Sequence, residues 1–134
     1  MIYLDSSAII KLIRPEPQSA QLHDWLTAHS DRTLVSSALA EIEVPRALRR
    51  ADPGRLVSVP TILAKINRVE IDAVVRATAA AYGEPQPRSL DAIHLASAQS
   101  LVLEGLSLSA FVTYDKRLLE TARDLGFTVA NPGA

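Results

Sequence analysis

The chain has 134 residues, with 14 Lys and Arg against 15 Asp and Glu, a formal net charge of −1 and 48% hydrophobic residues. That size and composition argue for one domain over residues 1–134 and exclude both intrinsic disorder and a globally basic nucleic-acid binder. The chain has no cysteine, which excludes disulfides, thiolate metal sites and Cys nucleophiles; it shows no basic leader ahead of Asp5 and no apolar run near the roughly 18 residues a membrane span needs, so a cytoplasmic protein with no membrane association is expected.

Residues 2–4, Ile-Tyr-Leu, read as a short strand ending at Asp5. Ser6 or Ser7 can cap a helix through the apolar run that follows, and Pro15 and Pro17 end it. Leu22, Trp25, Leu26 and His29 form an i, i+3, i+4, i+7 stripe, which predicts a second helix over 18–29. Residues 33–36 read as the next strand, with Ser37 capping a helix to about residue 50. Pro45 sits inside that pattern and removes the hydrogen bond to the Glu41 carbonyl, so a kink or a looser first turn is expected there.

Asp52-Pro53-Gly54 is a turn signal, followed by a short helix over 60–66, a weak strand over 68–71 and a helix from Asp72 to about Tyr82. Residues 83–87 form a Pro-rich loop. The run from Ser89 to Glu104 is almost wholly apolar and predicts a buried helix stopped by Gly105. Residues 110–114 read as a strand buried on both faces; Asp115 opens a helix to about Leu125, Gly126 stops it, and 127–130 form a last strand. Strands alternating with helices imply an α/β fold with a mostly parallel central sheet flanked by helices.

Asp5 and Asp115 directly follow strand-like runs, and Glu41 and Asp91 lie near the starts of helical patterns. In an α/β sheet those positions converge on one edge, where ligands bind. Acids gathered there repel one another, and a hard dication with a preference for oxygen, Mg²⁺ or Mn²⁺, is the natural way to hold them together. The pattern therefore points to metal-assisted phosphodiester chemistry. Singly, each acid also reads as a helix cap or a solvated surface residue.

Glu43 competes with Glu41, because two residues along a helix turn a side chain by about 200° and one site cannot use both. Glu41, on the earlier turn entering from the strand, is the expected site residue. Ser6, Thr113 and His94 are supporting candidates. Thr113 shares a strand face with Asp115, and His94 lies three residues after Asp91 on one helix face. Arg46, Lys116 and Arg117 are candidates for RNA contact, Arg46 standing in a basic cluster with Arg49 and Arg50.

The opening MIYLDSSAIIKL, then SSALAEIE, RSLDAIHLASA and FVTYDKRLLETARDLGFTVANP, resembles the PIN-domain ribonucleases, in particular the VapC-type toxins of bacterial toxin–antitoxin pairs. The resemblance runs through nearly the whole chain. It implies a three-layer α/β/α PIN-like fold, catalytic acids at Asp5, Glu41, Asp91 and Asp115, and metal held by Asp5, Asp91 and Asp115. It further implies RNA cleavage with Mg²⁺ or Mn²⁺, a homodimer and inhibition by a cognate antitoxin. Pro45, close after Glu41, departs from the pattern and bears on how Glu41 is aimed.

Two other readings compete. A phosphotransferase on a similar sheet wants a second acid two residues after Asp5, where this chain has Ser7. A catalytically silent PIN module acting only through antitoxin binding would have no need to keep all four acids.

Overall fold

In a computed structural model that describes residues 1–85 and 87–134, five strands form one sheet in which every pairing is parallel. Gln86, inside the expected loop over 83–87, lies outside the described residues. The strands are β1 (Ile2–Leu4), β2 (Leu34–Ser37), β3 (Asn67–Val69), β4 (Ala110–Val112) and β5 (Val129–Ala130), in the order β3-β2-β1-β4-β5. The helices are α1 (Ser6–Ile13), α2 (Ser19–Ala28), α3 (Ala40–Ala51), α4 (Val59–Leu63), α5 (Ala73–Ala81), α6 (Ser89–Leu103) and α7 (Lys116–Asp124). A 3₁₀ helix over Pro53–Ser58 follows the Asp-Pro-Gly turn, where the sequence reading expected the turn alone.

The two-residue period of a strand divides the core. Ile2, Leu4, Ala110 and Val112 pack with Ile9, Leu22, Val44 and Leu48 on one face of the sheet. Tyr3, Val35 and Phe111 pack with Leu95, Leu101 and Leu118 on the other. This is the expected three-layer α/β/α arrangement, with α6 buried from Ala92 to Leu101 as its apolar run predicts. Gly105 and Gly126 take φ of +86° and +93° just past α6 and α7, the left-handed conformation that ends a helix without a Cβ penalty.

The starts of two helices differ from expectation. Asp5, not Ser6 or Ser7, is the N-cap of α1, its carboxylate accepting the Ala8 N–H at 3.0 Å. Ser37 does not cap α3. It ends β2, where it pairs with Val69, and its hydroxyl accepts the Leu39 N–H at 3.1 Å, so the helix begins only at Ala40. α3 continues unbroken through Pro45; its opening turn is tight, with Glu41 and Ile42 N–H groups donating to the carbonyls three residues back.

The chain builds β1, β2 and β3 outward on one side, then returns through α6 to place β4 on the other side of β1. The carboxyl ends of β1 and β4 thus flank the point where strand order reverses, the place where open α/β sheets bind ligands. Asp5 follows β1 directly, and Thr113 and Asp115 follow β4.

Candidate active site

Asp5 is only 4% exposed, and both of its oxygens are engaged. Oδ1 accepts the Ser7 hydroxyl at 2.7 Å as well as the Ala8 amide. Oδ2 accepts the Thr113 hydroxyl at 2.6 Å. Burial pushes the Asp5 carboxyl above the ordinary carboxylate range; the charge of His94 and the Ser7, Thr113 and Ala8 donors pull it back only in part.

Thr113 is a junction. While donating to Asp5 it accepts the Asp115 N–H at 3.1 Å, which ties the end of β4 to the end of β1. Asp115 is exposed and caps α7 through the Leu118 N–H at 3.0 Å. Ser7 is a site residue the sequence reading passed over: besides donating to Asp5 it accepts the Tyr114 N–H at 3.0 Å. The local signal was the Asp-Ser-Ser triplet, which puts a hydroxyl two residues from the Asp5 carboxylate.

Asp91 lies in the first turn of α6, half-buried. Burial raises its pKa first, then the charge of Asp115; His94 offsets this in part, while Asp5 and Glu43 raise it further. A carboxyl that senses Asp115, Asp5 and Glu43 together places these acids in one electrostatic neighbourhood, built from α6, β4, β1 and α3.

Glu41 does not join them, contrary to the sequence expectation. It is half exposed, and its Oε2 pairs with Arg68 Nε of β3 at 3.1 Å. Glu43 turns inward instead: its Oε1 accepts the Ser6 hydroxyl at 2.7 Å and meets His94 Nε2 at 2.7 Å. Burial raises Glu43, but the hydrogen bond and charge of His94 and the Ser6 hydroxyl outweigh it, and the carboxyl sits below its usual range. The cause of the swap is helix geometry. Ala40, Val44 and Leu48 form the buried stripe of α3. Glu41 and Glu43 project about 100° to opposite sides of that stripe, one toward β3 and the other toward α1 and α6.

A groove of about 420 Å³ opens beside Glu43, lined by Ser6, Ser7, Ile10, Ile42, Arg46, Arg50 and Leu90 among others. Ile42 and Leu90 are 58% and 51% exposed, an apolar lip beside two guanidinium groups. Of the basic residues singled out from the sequence, Arg46 lines this groove, whereas Lys116 borders a smaller cleft with Asp115 and Arg123 and Arg117 lies exposed on α7.

Among the described residues no three His, Asp or Glu side chains converge at metal-holding spacing. The donor set nevertheless fits a hard divalent cation. It is carboxylate oxygen throughout, and Asp91, raised first by burial, is raised further by the charges of Asp115, Asp5 and Glu43, a repulsion that a dication relieves. None of the described helices is long and apolar enough to cross a membrane.

Residues 2–124 match the PIN domain family. The chain is 51% identical over 133 residues to Ribonuclease VapC35 of Mycobacterium tuberculosis, covering 99% of this chain and 98% of that protein. Among solved structures, VapC20 of Mycobacterium tuberculosis, described as a sarcin-ricin loop cleaving toxin, superposes with a TM-score of 0.71 at 17% identity, covering 98% of this chain and 100% of that one. VapBC2 of Rickettsia felis, solved bound to a DNA fragment from its promoter, gives a TM-score of 0.71 at 12% identity over 98% of this chain and 99% of that one. At those identities the structures speak to fold alone, and they share the overall fold of this chain. The sequence match is of a different order, and by it this chain belongs to the PIN-domain family and, within that family, to the VapC ribonucleases.

Proposed function

We propose that this chain is the toxin of a VapB–VapC-type toxin–antitoxin pair, an endoribonuclease that hydrolyses RNA phosphodiester bonds with carboxylate-bound Mg²⁺ or Mn²⁺. The observation that carries the reading is the gathering of Asp5, Asp91, Asp115 and Glu43 at the strand-order reversal, each delivered by a different element. Asp5, Asp91 and Asp115 are the residues that would hold the ion. When bound, the ion supplies charge neutralisation at the scissile phosphate and acidifies a ligand water. Thr113, Ser7 and the Ala8 amide keep Asp5 aimed by occupying both of its oxygens. Glu43, in place of Glu41, accepts a proton from the attacking water and orients it. Arg46 and Arg50 hold flanking phosphates along the groove.

The same groove supports antitoxin docking: exposed Ile42 and Leu90 offer an apolar seat at the mouth of the site. A homodimer and a cytoplasmic location are part of the same reading.

The test is partner-free protein incubated with total RNA in Mg²⁺, Mn²⁺ or EDTA. Discrete fragments are expected with either metal and none with EDTA. Intact RNA under every metal condition would overturn the enzyme reading in favour of a silent module that acts by binding its antitoxin.

Metal should also register in stability. Asp5 and Asp91 are raised in the folded protein, so the fold binds protons more tightly than the unfolded chain between the ordinary carboxylate range and those raised values. Metal-free stability therefore falls as pH rises through that window, with Glu43, shifted down, contributing in the opposite sense. Mg²⁺ or Mn²⁺ competes with those protons and is expected to raise Tm more at neutral pH than in the carboxylate range. A hundredfold excess over Kd gives about 2.7 kcal/mol. A Tm indifferent to millimolar metal at neutral pH would contradict the assigned ligands.

A further inference from the structure

Behind the acids a polar chain runs out of the core. Tyr3, fully buried on β1, is stacked on Phe111 with ring centroids 4.9 Å apart and planes within 8°. Phe111 packs in turn on Phe127 at 5.7 Å. The Tyr3 hydroxyl lies 2.7 Å from Nδ1 of His94, which is 3% exposed. The far ring nitrogen, Nε2, lies 2.7 Å from Glu43 Oε1, the oxygen that also receives the Ser6 hydroxyl. Residues from β1, α6, α3 and α1 thus meet in one line. Packing alone does not ask for this. Phe at position 3 and Leu at position 94 would fill similar space without burying polar groups that cost free energy unless paired.

The chemistry of the line is directional. With the imidazole proton on Nε2, Tyr3 donates to Nδ1 and Nε2–H donates to Oε1. Two donors then saturate Oε1. Glu43 Oε2 has no hydrogen-bond partner among the described residues, and Glu43 lines the groove.

We propose that Tyr3 and His94 are positioning residues for RNA cleavage, acting through Glu43 by locking its Oε1 and leaving Oε2 as the oxygen offered to the reacting water. This rests on the ribonuclease reading above. Tyr3 fixes the ring plane of His94, and its own ring is held by the Phe111 stack. His94 then sets the carboxylate, as an orienting partner behind a general base does.

Tyr3→Phe deletes the hydroxyl and keeps the stacked ring. His94→Leu fills the space without a donor, and His94→Gln keeps a donor near the Nε2 position. On an RNA oligonucleotide spanning a site mapped from the total-RNA digest, Tyr3→Phe is expected to lower kcat about tenfold and His94→Leu about a hundredfold, both with KM unchanged. His94→Gln should recover most of the His94→Leu loss. Independently of activity, ¹⁵N spectra of the metal-free protein, taken at a pH where the ring is neutral, should show His94 as one tautomer with its proton on Nε2, giving way to a tautomer mixture in Tyr3→Phe.

Wild-type kcat in Tyr3→Phe and His94→Leu, a loss confined to KM, or a tautomer mixture already in the wild-type protein would each overturn the proposal. If His94→Leu fails to fold, Tyr3→Phe and the ring spectra decide alone. Glu43→Gln separates the two levels of argument. If that variant keeps activity, the role given to Glu43 in the ribonuclease reading has failed; if it is inactive while Tyr3→Phe is unimpaired, only the positioning proposal has failed.

Discussion

Asp91→Ala should abolish metal-dependent RNA cleavage while leaving the protein folded. The expected loss is about a thousandfold in kcat/KM, because a residue that holds the ion commands several kcal/mol of transition-state charge stabilisation. The fold should tolerate the change for reasons visible in the site. Asp91 is half-buried at the head of α6, accepts no cap bond from its own helix among the described residues, and has its charged form opposed by burial and by Asp115, Asp5 and Glu43. Removing that charge relieves the others. The metal-free variant should therefore melt no lower than the wild-type protein at neutral pH, and its gain on adding Mg²⁺ should shrink. Circular dichroism melts with and without metal, beside a cleavage assay, make the comparison. Retained metal-dependent cleavage in Asp91→Ala would remove this residue from the mechanism.

The two glutamates of α3 give the second large effect. Glu43→Gln is expected to lower kcat by about 10²–10⁴, the usual contribution of a positioned general base. Glu41→Gln should cleave RNA as the wild-type protein does, since its carboxylate is half exposed and engaged with Arg68 on β3. Its cost is confined to a surface ion pair, about 0.2–1 kcal/mol of stability. Steady-state cleavage by the two variants is the measurement. A dead Glu41→Gln beside an active Glu43→Gln would reverse the assignment made from the structure.

Why the sequence pointed to the other glutamate is itself instructive. Ala40, Val44 and Leu48 mark the buried stripe of α3, and positions 41 and 43 stand about 100° to either side of it. Hydrophobic periodicity is symmetric about its own stripe, so it identifies the inward face and says nothing of which flank meets α1 and α6 and which meets β3. Only the neighbours break the tie. Ser6 and His94 wait on one side and Arg68 on the other. Pro45, which bore on how Glu41 is aimed, removes one backbone hydrogen bond, and α3 runs through it unbroken.

The rest of the site divides along the same line. Asp5 and Asp115 were legible because each caps a helix within three residues of a strand's end, a local event written in a few consecutive residues. The tie from Thr113 to Asp5 spans 108 positions in the chain, and that from Tyr3 to His94 spans 91. No window of sequence contains either one. Strand ends and helix starts were misjudged by a residue or more, as at Ser37, because pairing with β3 decided how far β2 runs.

The sequence by itself determined the alternation of strands and helices, the stops at Gly105 and Gly126, the buried character of α6, and the acids at the ends of elements, since each is set by side-chain period, backbone freedom or capping within a turn or two. Tertiary structure alone decided the order β3-β2-β1-β4-β5, the inward choice of Glu43 over Glu41, and the line from Tyr3 through His94 to that carboxylate. Those outcomes depend on which faces meet across the sheet, and a contact between distant elements is fixed by packing and not by the period of either one.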